Sequence, residues 1–265
     1  MVSITRWIPN SITLASLFVG FVGIIHALNV SYYQPLKTFH QADLVFASWM
    51  VVVAAILDFM DGLLARLFNA QSPLGKQLDG LADVVCFGVL PAVILHVLML
   101  EDPDPPAMYN WLLGRVPIPS LFPFVVLGAA AVRLGRFNIH SPPHHHFKGL
   151  PVPFSAFIVA SIPMVTTHQH IIVWNGQTFY LDRALFQVEV LIGLSVILAI
   201  LMLSRIPMLS LKWDLTQRKR PPWIIWLFVI LAIGIILTGG YLGLWGVIIL
   251  YFIYSLIFTS KVKRL

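Results

Sequence analysis

A single cysteine, Cys86, occurs among 265 residues. That excludes an internal disulfide framework and any metal cluster built from cysteine alone. Charge is scarce as well: Asp, Glu, Lys and Arg make up 11% of the chain, against about 25% in an average soluble domain. So few charged side chains cannot cover a water-facing surface, which excludes a soluble globule. No stretch looks like a cleavable leader either. The start, Met1-Val2-Ser3-Ile4-Thr5-Arg6, is weakly charged and no small-residue cleavage site follows, so the first apolar segment is expected to stay as an anchor. What the chain has in quantity is apolar surface. Hydrophobic residues are 58% of it and the mean hydropathy is +0.87, so the solvent it requires is lipid.

A helix that crosses the hydrocarbon needs about 20 mostly apolar residues. Eight segments meet or approach that length, at about Ile12–Val30, Ala42–Phe68, Leu78–Leu100, Leu121–Phe137, Phe154–Val173, Gln187–Ser204, Trp223–Leu237 and Tyr241–Phe258. Thr238-Gly239-Gly240 makes a tight turn between the last two. The expected fold is therefore all-α, a polytopic integral membrane protein of about eight transmembrane helices. With the N-terminus inside, 14 of the 17 Lys and Arg residues fall on the cytoplasmic side, and only Lys37, Arg115 and Arg183 fall outside. That asymmetry predicts both termini in the cytoplasm. The net charge of +6 is then topological, and no nucleic-acid partner is needed to explain it. The basic loop at about Ser204–Pro222 is read as lying on anionic headgroups. His144, His145 and His146 follow Pro142-Pro143 and are read as a solvated loop. His26 and His96 are read as packing or interfacial residues, and Cys86 as a small buried hydrophobe.

Four of the eleven acidic residues, Asp58, Asp61, Asp79 and Asp83, sit within 26 consecutive positions, at the end of the second span and the start of the third. An aspartate at mid-membrane costs about 2.5–3.5 kcal/mol, and four unpaired ones on the order of 10 kcal/mol. Spacing names the partner. Asp58 and Asp61 lie about 60° apart on one helical face, with Gly62 and Ala65 on the same arc. Asp79 and Asp83, at i and i+4, share a face of the next helix, and a connection containing Ser72, Pro73 and Gly75 returns the chain. Two divalent cations would neutralise four converging carboxylates, and all-oxygen ligands suit Mg²⁺, Mn²⁺ or Ca²⁺. Gly62 and Ala65 leave room for a nucleotide, and Arg66 offers a fork to a diphosphate. Spacing alone leaves two alternatives open, a buried polar network and the ion site of a transporter.

The pattern Asp58-x2-Asp61-Gly62-x2-Ala65-Arg66-x8-Gly75-x3-Asp79-x3-Asp83 resembles the complete signature of the CDP-alcohol phosphatidyltransferases. The resemblance implies that Asp58, Asp61 and Asp79 are metal ligands and that Asp83 serves the second metal and acts as general base. It implies a CDP site made by Gly62, Ala65, Arg66 and Gly75. It also implies a six-span catalytic core over residues 1–204, followed by the basic loop 205–222 and a hairpin with a basic tail at 223–265. Relatives in the family are commonly homodimers.

The signature fixes a CDP-linked donor but leaves the acceptor open among serine, glycerol phosphate, inositol phosphate and choline. The stretch from Asp79 to Ala92, Arg133-Leu134-Gly135-Arg136-Phe137-Asn138, Lys148-Gly149-Leu150-Pro151-Val152-Pro153 and the opening Ile8-Pro9-Asn10-x2-Thr13 are similar to the serine-transferring branch, although many of its members carry Ser at the position of Gly80. That likeness implies transfer of a phosphatidyl group from CDP-diacylglycerol to L-serine at the cytoplasmic face of the cell membrane. Arg133 and Arg136 share a helical face at i and i+3. With Asn138 and Lys148 they are the candidates to hold the serine carboxylate or the lipid phosphate.

Overall fold

Inside lipid every backbone N–H and C=O must find its partner within the chain, so apolar runs free of breakers become helices. The computed structural model describes residues 7–32, 40–68, 70–102, 107–114, 116–139, 146–166, 171–174, 177–180, 185, 187–204, 206–209, 246–247 and 250–251. Six long helices appear among them: α1 (Trp7–Tyr32), α2 (His40–Leu67), α3 (Pro73–Leu100), α4 (Phe124–Ile139), α5 (Val152–Thr166) and α6 (Val188–Leu203). The segments Trp7–Leu28, Asp43–Leu67, Pro73–Leu100 and Ile118–Phe137 are long and apolar enough to cross a membrane, and α5 and α6 are apolar but shorter. The protein is an all-α membrane protein. The expected seventh and eighth spans lie outside the described residues, apart from helical positions 246–247 and 250–251.

Two expected boundaries move. The third span begins at Pro73, five residues before the expected Leu78. Ser72 caps it by accepting a hydrogen bond from the Gly75 N–H at 3.0 Å, and Pro73 takes the first helical position, where no N–H is needed. Pro73 and Gly75 therefore belong to the helix and not to the connection. The fifth helix stops at Thr166. Ile171–Trp174, partly assigned to that span from hydropathy, is instead a strand paired with Gln177–Tyr180. Two more short antiparallel ladders occur in connections, Leu112–Leu113 with Val116–Pro117 and His146–Lys148 with Pro207–Leu209. His146, expected in a loop, is thus the first residue of a strand.

The core is organised on α3. Leu90, Ile94, Leu95 and Leu98 are fully buried, while Phe18, Phe21 and Ile56 on α1 and α2 are exposed, as lipid-facing side chains are. Glycines let the helices approach. A Cβ at Gly20 would lie 2.6 Å from Cys86 Sγ, and one at Gly23 would lie 2.8 Å from Leu90 and 2.9 Å from Met50. Midway along α3, Val85–Val89 forms one π-helical turn. Gly88 within it faces Leu127 and Ala130 of α4 at 3.1 and 3.6 Å from a built Cβ. His26 meets Asp43 at 3.1 Å, and His96 meets the Ser120 carbonyl at 2.7 Å.

Successive helices alternate in direction. The starts of α1, α3 and α5 and the ends of α2, α4 and α6 therefore gather at one end of the bundle. At the opposite end Asp102 accepts the Val188 N–H at 3.0 Å, placing a carboxylate on the N-terminus of α6 where the helix dipole favours it.

Candidate active site

The second and third helices bring three of the four expected acids together. Asp58, Asp61 and Asp79 each offer a carboxylate oxygen, and these atoms lie within 4.8 Å of one another. Two oxygens bound to one hard ion at about 2.0–2.6 Å can be no more than about 5 Å apart, so the trio fits a divalent cation in both donor type and span. Asp61 is the most enclosed, 5% exposed. Thr13 on α1 donates its hydroxyl hydrogen to Asp61 Oδ2 at 2.6 Å, a bond that fixes the carboxylate against α1. Asp83 is half-buried one turn further along α3 and outside the trio. At i+4 from Asp79 it shares that residue's face of α3 by helical periodicity, about 6 Å further along the axis.

Beside the trio a cleft of about 500 Å³ opens. Pro9, Asn10 and Thr13 of α1 line one side, and Asp61, Gly62, Ala65 and Arg66 of α2 another. Gln71 and Ser72 close the floor, with Gly75, Lys76 and Asp79 of α3 opposite. All four residues expected in the CDP site are therefore on one wall system, next to two of the acids. The glycines act differently. A Cβ at Gly62 would meet nothing within 4 Å, whereas one at Gly75 would lie 2.8 Å from Asn10 Oδ1 and 3.1 Å from Ser72 Oγ. Gly62 borders open space, and Gly75 lets the Asn10 carboxamide close on the helix start.

The other expected residues lie elsewhere. Arg133 and Arg136 are on α4, and neither lines the cleft. Arg136 is exposed, whereas Arg133 is drawn into the protein. Its Nη2 donates to the Gly149 carbonyl at 3.4 Å, and its Nε has no partner among the described residues. Asn138 falls in the last turn of α4 and Lys148 in the strand His146–Lys148. Gly149 has φ +77°, and a Cβ there would lie 2.5 Å from the Met202 carbonyl oxygen. Its N–H and that of Leu150 donate to Ile206 and Leu201 carbonyls at 2.8 and 2.9 Å, so the Lys148–Pro153 stretch is seated on the end of α6.

Sequence reasoning missed Thr13 and Asn10 as parts of the cleft. A signal was present. Asn10, Thr13 and Ser16 recur every three residues in an otherwise apolar helix and form a buried polar stripe, continued by the Ser16 hydroxyl bonding to the Ala54 carbonyl at 3.2 Å.

Residues 6–194 match the family model of the CDP-alcohol phosphatidyltransferases. The chain is 34% identical over 212 residues to a CDP-diacylglycerol–serine O-phosphatidyltransferase of Helicobacter pylori, covering 78% of this chain and 75% of that one. A protein of the same name from Mycobacterium leprae is 30% identical over 251 residues, covering 92% and 71%. One from Bacillus subtilis is 32% identical over 150 residues, covering 57% and 71%.

Proposed function

Because the chain belongs to the CDP-alcohol phosphatidyltransferase family, we propose that it transfers the phosphatidyl group of CDP-diacylglycerol to the hydroxyl of L-serine, giving phosphatidylserine and CMP. The observation that carries this reading is the cleft in which Gly62, Ala65, Arg66 and Gly75 stand beside Asp61 and Asp79. The relatives' shared name supports serine as the acceptor.

Asp58, Asp61, Asp79 and Asp83 would hold two divalent cations, Mg²⁺ or Mn²⁺, with Ca²⁺ also compatible with the ligands. When bound, the cations supply Lewis acidity to the diphosphate and neutralise charge that develops on the departing CMP. The protein's own groups do the rest. Arg66 forks onto the diphosphate. The open space over Gly62 admits the nucleotide. Asp83 takes the hydroxyl proton of serine as that oxygen bonds to the lipid-linked phosphorus, and the bond from phosphorus to the CMP oxygen breaks with its electron pair leaving on CMP. A base acting so must come within about 2.6–3.2 Å of the hydroxyl, directly or through one water. Arg133, Arg136, Asn138 and Lys148 are proposed to hold the serine carboxylate or the lipid phosphate.

The setting follows from the substrates. Acyl chains stay in lipid while CDP and serine come from water, so the cleft belongs at the cytoplasmic face of the cell membrane, with both termini on that side. We further propose that residues 1–204 form the catalytic core, 205–222 a basic loop and 223–265 a hairpin with a basic tail, and that two copies form a homodimer. The deciding assay incubates the purified protein with CDP-diacylglycerol, a divalent metal and serine, glycerol phosphate, inositol phosphate or choline in turn, following CMP and lipid product. Serine-dependent CMP release is expected. Release with another alcohol instead would reassign the acceptor, and cation flux with no CMP release would make the protein a transporter.

A further inference from the structure

The proposed role of Arg133 leaves open what positions its half-buried guanidinium. A guanidinium taken out of water needs good partners. Here one bond, to the Gly149 carbonyl, is long at 3.4 Å, and Nε has no partner among the described residues. The depth of this group matters. Gly88 lies against Ala130, and the two helices run antiparallel. Three residues on from Ala130, Arg133 stands at about the depth of Val85, two residues from the proposed base Asp83.

A second residue faces the same place from an unexpected part of the chain. Tyr251, well beyond the family match that ends at residue 194, is only 1% exposed. Its ring stacks on Phe154 of α5, with centroids 4.3 Å apart and planes 20° from parallel. Phe154 follows directly on the Gly149–Pro153 stretch whose carbonyl Arg133 touches. The Tyr251 phenol is within electrostatic reach of the Arg133 guanidinium. Stacking fixes the ring on Phe154, five residues on from the carbonyl that Arg133 touches.

We propose that Tyr251 is a positioning residue for the acceptor: anchored on Phe154, it backs the Arg133 guanidinium against the Gly149 carbonyl and presents the remaining N–H groups to a small carboxylate, the class to which serine belongs. Tyr251, which lies outside the signature, thereby completes the acceptor side of the site. This rests on the reading of Arg133 as the holder of the acceptor anion. In serine only two carbons separate the carboxylate from the hydroxyl, so the proposal requires Arg133 and Asp83 to face one space.

The test uses full-length wild type, Tyr251→Leu and Tyr251→Phe, with KM for serine, KM for CDP-diacylglycerol, kcat and melting temperature measured on each. Tyr251→Leu is expected to raise the serine KM about tenfold or more, with donor KM and kcat at saturating serine within about twofold. Tyr251→Phe keeps the ring and loses the oxygen, and should raise the serine KM at least about threefold. A folded Tyr251→Leu with an unmoved serine KM overturns the proposal. Equal rises in both KM values, or a fall in kcat with KM unchanged, do so too, since they mark packing alone. Should Tyr251→Leu fail to fold, Tyr251→Phe decides, and a serine KM within about twofold of wild type is then fatal. Wild type that ignores serine defeats the acceptor assignment, and this proposal with it, before any variant is compared. Normal wild-type turnover with unmoved variants defeats the role of Tyr251 alone.

Discussion

Two substitutions of similar size separate the roles of the cleft glycines. Gly62→Ala puts a methyl group where nothing lies within 4 Å, so melting temperature should hold while the KM for CDP-diacylglycerol rises. Gly75→Ala drives a methyl group to 2.8 Å from Asn10 Oδ1, so Asn10 must move and both donor KM and thermal stability should suffer. If Gly62→Ala leaves the donor KM unchanged, the space above it is not the nucleotide's. Asp83→Asn keeps shape and removes the base. Turnover should fall by at least about 100-fold with CDP-diacylglycerol binding retained, and near-normal rates at saturating Mg²⁺ or Mn²⁺ would remove Asp83 from that role. At this scale the acids were legible because each pair lies on one face of its own helix. Thr13 was not, because its partner Asp61 is 48 positions away and only helix packing joins them.

Between helices, seating matters more than composition. Gly149 is held with φ +77° against three carbonyl oxygens at the end of α6. An alanine there must adopt a left-handed backbone and also push those oxygens apart. Gly149→Ala should therefore cost about 1–3 kcal/mol or more, read as a lower melting temperature, with the serine KM disturbed through Arg133. An unchanged melting temperature would mean that the stretch is not seated on α6. The spans were legible where hydropathy and length agree, in α1 to α4. Elsewhere the same signal misled. Ile171-Ile172-Val173-Trp174 is apolar enough to extend a helix yet forms a strand, since a short apolar run does not distinguish the two. The start of α3 was placed late because Lys76, Gln77 and Asp79 depress its hydropathy, although Ser72-Pro73 is a helix-start signal. The π-helical turn at Val85–Val89 stands in an apolar stretch without a break in its sequence pattern.

For the molecule as a whole, the charge count predicts a sidedness that can be measured. A new cysteine at Lys37 and another at Lys212 should react with a membrane-impermeant thiol reagent from opposite faces of sealed vesicles. Cys86, fully buried, should contribute no background. Labelling of both from one face would reverse the topology drawn from the Lys and Arg count. The placement of the cleft has a further consequence. Its walls are drawn only from Pro9 to Asp79, less than a third of the chain, whereas Arg133, Gly149 and Tyr251 come much later. On the proposed roles, every residue of the nucleotide cleft is synthesised before those that would hold the acceptor, so the two sides of the site are completed in that order.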